Sequence, residues 1–345
     1  MASSPLTMAA TYQHIMYHHS MDLISLPSSG RLTTILHGRI LLVLLVLIQC
    51  LSLNTPHGMI RLTSAASIST LEAPFAVSAM TYVDTQGTFL ISQNQLFTLT
   101  FFTQSTGDGG GDGDGAIVYL CIIHAPSQQI VWTANPDSPV SSSDQLQLST
   151  DGNLALVRAP AAADGSSANT SIYWSTNTIG LGAKRMMIRD TGNLVLLDES
   201  NSTVLWQSFD PTDTLLCGQT FRAGMILRSS SMSNRNLSSG PYSLSLVEGD
   251  LQLSVTSLSS QSLPYWSMLH DPRHVQLGSG VSSHASLGPG MLALVKDEDG
   301  TLVSSITWTS NASMCRAYLK HDGSLQIEVY SLVNVWTTQF AAPEG

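Results

Sequence analysis

The feature that most constrains this chain is a turn that recurs. A polar residue, a glycine and a second polar residue precede an alternating strand at Asp151-Gly152-Asn153-Leu154, Thr191-Gly192-Asn193-Leu194, Glu248-Gly249-Asp250-Leu251, Asp299-Gly300-Thr301-Leu302 and Asp322-Gly323-Ser324-Leu325. Glycine accepts positive φ at little cost, so such a pair supports a two-residue hairpin turn. Alternation after the turn, as in "NLALV" and "SLQIEVY", marks strands with one buried face. A sixth, poorer copy runs from Ser92 to Phe102, with Gln95 where glycine would stand. Each copy is followed by a tryptophan in a short β-like segment: Trp132, Trp174, Trp206, Trp266, Trp308 and Trp336, every tryptophan in the sequence. The pattern predicts an all-β chain in which three turn-strand units share three central indoles, an arrangement used twice. The indoles are read as core residues.

Reactive chemistry finds little footing. Asp190-Thr191-Gly192 spells the loop of an aspartic protease, but that chemistry needs two carboxylates sharing one proton and only one such tripeptide occurs. His270 and His274 have helical metal-ligand spacing, yet Pro272 between them breaks the helix that pattern needs. In "GDGGGDGDG" (Gly107 to Gly115), Asp112 and Asp114 have the first spacing of a calcium loop without a later acid to close the sphere. A flexible hairpin loop is the simpler reading. No phosphate-binding loop, Gly-x-Ser-x-Gly elbow or dinucleotide fingerprint is present. The expectation is a chain that is not an enzyme and needs neither metal nor cofactor. Net charge is −10 and the 14 basic residues are scattered, so nucleic acid is not an expected partner.

The first 66 residues read as a leader. Arg39 to Leu53 is an apolar run preceded by Arg31, His37 and Arg39, short for a membrane span and suited to a signal-peptide core; Ser64-Ala65-Ala66 offers a cleavage step. The alternative is an uncleaved anchor around residues 39–53. Four sequons follow, at Asn169, Asn201, Asn236 and Asn311, as expected on a secretory route. Beyond the leader stand Cys121, Cys217 and Cys315, which allow one disulfide plus a free thiol, or none. Cys121, within "IVYLCII", reads as a buried apolar residue.

Four linked motifs, "IVWTANPDSPV" (130–140), "IYWSTNT" (172–178), "IRDTGNLVLLD" (188–198) and "VLWQSFDPTDTLLCGQTF" (204–221), resemble the bulb-type, monocot mannose-binding lectin domain of S-locus-glycoprotein-like plant receptor kinases. The resemblance implies tandem β-prisms of three four-stranded sheets each, with a lectin domain at 73–207, a more divergent unit at 208–345, and no kinase. It also implies sugar sites reading Gln-x-Asp-x-Asn-x-Val-x-Tyr along a strand, where alternate side chains converge on one groove. Carried over, the first copy gives Ser149, Asp151, Asn153, Ala155 and Val157, and the second Arg189, Thr191, Asn193, Val195 and Leu197. The early copy (Ser92, Asn94, Leu96, Thr98, Thr100) matches nowhere, and the later copies keep only Asp299 or Asp322. The candidate carbohydrate-binding residues are therefore Asp151, Asn153, Asn193 and Val195. The implied function is weak mannose-type glycan recognition by a secreted protein of the plant cell wall or apoplast. The alternative is a protein-interaction module that has lost sugar binding and contacts a cell-surface receptor kinase. A homodimer is a further expectation of the resemblance.

Overall fold

A computed structural model of the protein describes residues 68–81, 88–104, 117–159, 171–210, 213–230, 237–257, 260–312, 314–331 and 333–343. The apolar run at residues 39–53 and the "GDGGGDGDG" tract lie outside the described residues.

The first twelve strands are β1 (Thr70–Glu72), β2 (Phe75–Ser78), β3 (Thr88–Ile91), β4 (Phe97–Gln104), β5 (Ile117–His124), β6 (Gln129–Thr133), β7 (Gln145–Leu148), β8 (Leu154–Val157), β9 (Ile172–Ser175), β10 (Arg185–Ile188), β11 (Leu194–Leu197) and β12 (Val204–Gln207). They form three antiparallel sheets in the orders β3-β4-β5-β6, β2-β7-β8-β9 and β1-β10-β11-β12. The second set comprises β13 (Thr214–Leu216), β14 (Thr220–Arg222), β15 (Ile226–Ser230), β16 (Ser239–Val247), β17 (Asp250–Thr256), β18 (Ser262–Ser267), β19 (Val275–Gln276), β20 (His284–Gly288), β21 (Met291–Val295), β22 (Leu302–Thr307), β23 (Met314–Leu319), β24 (Leu325–Tyr330) and β25 (Trp336–Ala341). Its sheets run β15-β16-β17-β18, β14-β20-β21-β22-β19 and β13-β23-β24-β25.

One topology is thus used twice. In each set three short leading strands are dealt out one to each sheet, and a three-stranded meander completes it. The result is a tandem β-prism, with one departure from the expected four-stranded sheets: β19 adds a fifth strand beside β22. Inward side chains of each set form their own core, around Phe89, Leu120, Leu156 and Leu196 in the first and Phe221, Leu253, Leu294 and Ile327 in the second.

The first prism closes as the repeat predicts. Trp132, Trp174 and Trp206 meet edge to face at centroid distances of 5.8 to 6.0 Å. Each lies opposite the inward residue of its sheet's middle strand, at Ile122, Leu156 and Leu196, just before a bulge. The same register in the second prism selects Trp266, Ser304 and Phe340, opposite Leu253, Leu294 and Ile327. The sixfold tryptophan count is therefore corrected: Trp308 and Trp336 do not occupy the central register. Ser304 is fully buried there, and its hydroxyl donates to the Val275 carbonyl (3.3 Å), joining the extra strand to the sheet that lost its indole.

Trp336 instead serves the junction between prisms. Its Nε1 donates to Ser127 Oγ (2.9 Å), its ring packs against Tyr330 and His124, and the Arg316 guanidinium lies 4.4 Å from its centroid. Asp137 accepts bonds from the Ser239 amide and hydroxyl at 2.7 and 2.8 Å, fastening β16 to the first prism. Within the second prism, Cys217 and Cys315 form a disulfide, leaving Cys121 a buried thiol pushed well above its usual pKa by burial.

The turns also need correction. Only Glu248-Gly249 is a two-residue hairpin with both residues at positive φ. At Gly152, Gly192 and Gly323 the chain makes a wider turn, in which the glycine N–H donates three residues back, to Ser149, Arg189 and Lys320. One positive-φ residue then suffices, the pattern of a type I turn followed by a bulge. Gln95 adopts φ 61 in the equivalent place, so the poorer copy turns without glycine.

Candidate functional site

The groove implied by the resemblance belongs on the outward face of a middle strand. Residues alternate across a strand, so the neighbours of the inward Leu154, Leu156, Leu194 and Leu196 point away from the core. These are Asn153, Ala155 and Val157 on one sheet and Asn193, Val195 and Leu197 on another. The corresponding residues of β17 are Asp250, Gln252 and Ser254, and those of β24 are Ser324, Gln326 and Glu328.

Asp151 is exposed in the turn before β8. Its Oδ1 accepts from the Ser149 hydroxyl and from the Asn153 amide (3.0 Å), and the first of these holds the carboxyl below the usual carboxylate range. Asp299 and Asp322 make the same bond to the amide two residues on, at Thr301 and Ser324, both 2.9 Å. The recurring aspartate is therefore a turn former in all three places. Its second oxygen in Asp151, Oδ2, has no partner among the described residues.

Asn153 is only 7% exposed. Its Oδ1 accepts from Ser175 Oγ (3.0 Å), Thr176 Oγ1 (3.4 Å) and the Thr178 amide (3.2 Å). Asn193 repeats the arrangement: Oδ1 accepts from Ser208 Oγ (3.3 Å), and Nδ2 donates to Gln207 Oε1 (2.9 Å). Both amides spend hydrogen-bonding capacity on the following strand. Val195 is fully buried. Asp151 and Asn153 thus stand together at the mouth of β8, while Asn193 and Val195 occupy a separate sheet. Of the sequon residues, Asn201 and Asn311 are exposed; Asn169 and Asn236 lie outside the described residues.

Two copies do not lie where the sequence alignment put them. The Ser92 copy forms the β3–β4 hairpin and the Asp299 copy the β21–β22 hairpin, so neither precedes the central strand of its three-stranded meander, β5 or β21. Asp190 Oδ1 accepts from the Asn94 amide (2.8 Å), and its carbonyl accepts from Asn94 Nδ2 (3.0 Å). This exposed acid ties two turns together. His270 Nδ1 pairs with Ser267 Oγ and His274 Nδ1 with the Asp271 carbonyl, so the two rings serve different local contacts.

Sequence reasoning passed over the polar residue that follows each indole. Thr176 and Ser208 each stand two residues after a tryptophan, and their hydroxyls accept the amides of Leu154 (3.2 Å) and Leu194 (3.0 Å). Asn135, three after Trp132, takes the Leu120 amide at 2.9 Å. The "W-S-T" and "W-Q-S" strings carried this signal.

Residues 129–239 match the family described as D-mannose binding lectin. The chain is 36% identical over 225 residues to the G-type lectin S-receptor-like serine/threonine-protein kinase SD2-5 of Arabidopsis thaliana, covering 64% of this chain and 24% of that one. It is 30% identical over 282 residues to the kinase At5g35370 of the same plant, covering 81% of this chain and 30% of that one. The chain therefore spans less than a third of either relative. Among solved structures, a two-domain fetuin-binding lectin of Scilla campanulata aligns over 81% of this chain and 97% of its own, at 16% identity and a TM-score of 0.26.

Proposed function

Because residues 129–239 match the D-mannose binding lectin family, we propose that this chain is a non-enzymatic, extracellular recognition protein for mannose-type glycans. In this account residues 1–66 are a leader, and 73–207 and 208–345 are two lectin-like units. The family match carries the proposal. The Cys217–Cys315 disulfide supports an oxidising compartment, and exposed Asn201 and Asn311 suit glycosylation. Binding at Asp151 and Asn153 is weak in this account, because Asp151 Oδ1 and Asn153 Oδ1 are already bonded within the chain. Each hydrogen bond lost to a sugar removes about 0.5–1.5 kcal/mol.

That same internal bonding favours a second reading, in which the sugar sites have decayed and the prism faces contact a cell-surface receptor kinase. A glycan array separates the two. The parent protein is expected to give mannose-type signal that Asp151→Ala/Asn153→Ala reduces; an array blank for the parent favours the interaction module.

A further inference from the structure

Six three-stranded meanders end on β6, β9, β12, β18, β22 and β25. A last strand with nothing beside it offers backbone groups to other chains, so proteins cover or blunt such edges. Four of the six are dealt with in the structure. β22 carries β19. On β6, Gln129 and Ile130 face Arg228, Leu237 and Tyr318 of the second prism across a cavity of about 230 Å³. On β25, the Ala341 carbonyl accepts from Arg273 (3.1 Å). β18 contains Pro264, which has no N–H to offer a further strand. The two that remain are β9 and β12, whose apolar first residues are open to solvent: Ile172 is 58% exposed and Val204 38%.

Ile130, Ile172 and Val204 are equivalent by register. Each stands two residues before its tryptophan and lies opposite the residue just past the bulge, at Ile123, Val157 and Leu197. Three residues before Ile130 comes Ser127, whose hydroxyl accepts the Trp336 indole N–H of the second prism (2.9 Å). Three residues before Val204 comes Asn201, which opens the sequon Asn201-Ser202-Thr203. The position that meets the second prism on one sheet is thus a glycan attachment position on another. In the sequence, Asn169 stands at the same offset from Ile172. The β11–β12 turn presents Asn201 outward. Asp198 Oδ1 accepts the amides of Ser202 (3.0 Å) and Thr203 (3.2 Å), and the Asp198 carbonyl accepts the Asn201 amide (3.2 Å). These bonds hold Asn201 at φ 60, exposed in the turn.

We infer that an N-linked glycan on Asn201 covers the β12 edge, as the second prism covers β6, and so keeps that strand from pairing with a second copy of this chain. The inference rests on the secretory reading of the chain. β12, "VLWQ", carries no charged residue and no proline, the guards that an edge strand otherwise uses. A glycan is bulky and hydrated, and it cannot join a β-ladder.

Glycopeptide mass spectrometry of the full chain recovered from a secreting plant host, with light scattering across a concentration series, tests this. Asn201 should carry glycan. Asn201→Gln and Thr203→Val each remove the sequon, the first with a residue type that adopts the same φ at Gln95 and Gln128. Both variants should self-associate at about tenfold lower concentration than the parent, the effect of burying about one valine side chain. Adding Val204→Lys to Asn201→Gln should restore the parent's behaviour by placing a charge on the edge. A bare Asn201 beside a glycosylated Asn311 overturns the inference and leaves the secretory reading standing; both bare overturns both. A glycosylated Asn201 whose loss leaves association unchanged, or association that Val204→Lys does not relieve, also overturns the inference.

Discussion

Arg316 and Glu328 form an ion pair in the junction between the prisms, with side chains only 9% and 11% exposed. Both Nε and Nη2 of Arg316 donate to Glu328 Oε2, at 2.9 and 2.7 Å, and Glu328 Oε1 accepts the Tyr318 hydroxyl at 3.1 Å. The guanidinium is stacked between the Tyr318 and Trp336 rings, 4.8 and 4.4 Å from their centroids. Removing one charge leaves the other buried without a counterion, which costs about 3–5 kcal/mol. Arg316→Met also forfeits cation–π attraction of about 1–2 kcal/mol. Replacing both by apolar residues of similar volume is close to neutral, because the desolvation cost disappears with the charges. Tyr318 keeps a partner in Gln326 Oε1, at 3.1 Å. Guanidinium denaturation at pH 7 of Arg316→Met, Glu328→Leu and the double variant completes a double-mutant cycle. Each single change should cost about 3 kcal/mol or more, and the double variant, which still forfeits the cation–π contacts, should cost only about 1–2 kcal/mol. Single costs below about 1 kcal/mol, or costs that simply add, would refute the reasoning.

The same junction titrates. Burial, reinforced by the Arg316 charge, lowers His124 to about 4 from 6.5, so the unfolded chain gains a proton between those values that the fold refuses, and stability falls on acidification. Burial raises Asp213 to about 6 from 3.8, so the fold keeps a proton there and stability rises on acidification. Each amounts to about 3 kcal/mol at 1.36 kcal/mol per unit, with opposite sign. Melting curves from pH 4 to 6 should therefore show Asp213→Asn losing stability relative to the parent on acidification and His124→Asn gaining it; slopes of like sign contradict the assignment. Reduction of Cys217–Cys315 opens a loop of 98 residues, and the melting temperature should fall by the equivalent of about 4 kcal/mol, read by calorimetry with and without reductant. Gly152→Ala places a Cβ 2.8 Å from the Ala183 nitrogen at φ +90, and urea denaturation should report a loss of about 1–3 kcal/mol.

Much of the fold was written in the turn and the first three indoles. Gly152 and Gly192 set positive-φ turns before middle strands, and Trp132, Trp174 and Trp206 meet as their spacing implies. The pattern misled in the second prism, because a tryptophan marks the central register only when strand pairing places it there. Phe340 and Ser304 hold that register instead, and long-range pairing sets it rather than local spacing. The candidate site was legible as residue types and not as bonding. Nothing in "STDGNLALV" reveals that Ser175, Thr176 and Thr178, more than 20 residues on, take the Asn153 oxygen.

The central claim is that this chain recognises mannose-type glycans. Its most direct test is retention of the full chain on immobilised mannose-type oligosaccharide at neutral pH. The account predicts delayed elution that free methyl mannoside abolishes; elution with the void volume on a densely substituted column would contradict it.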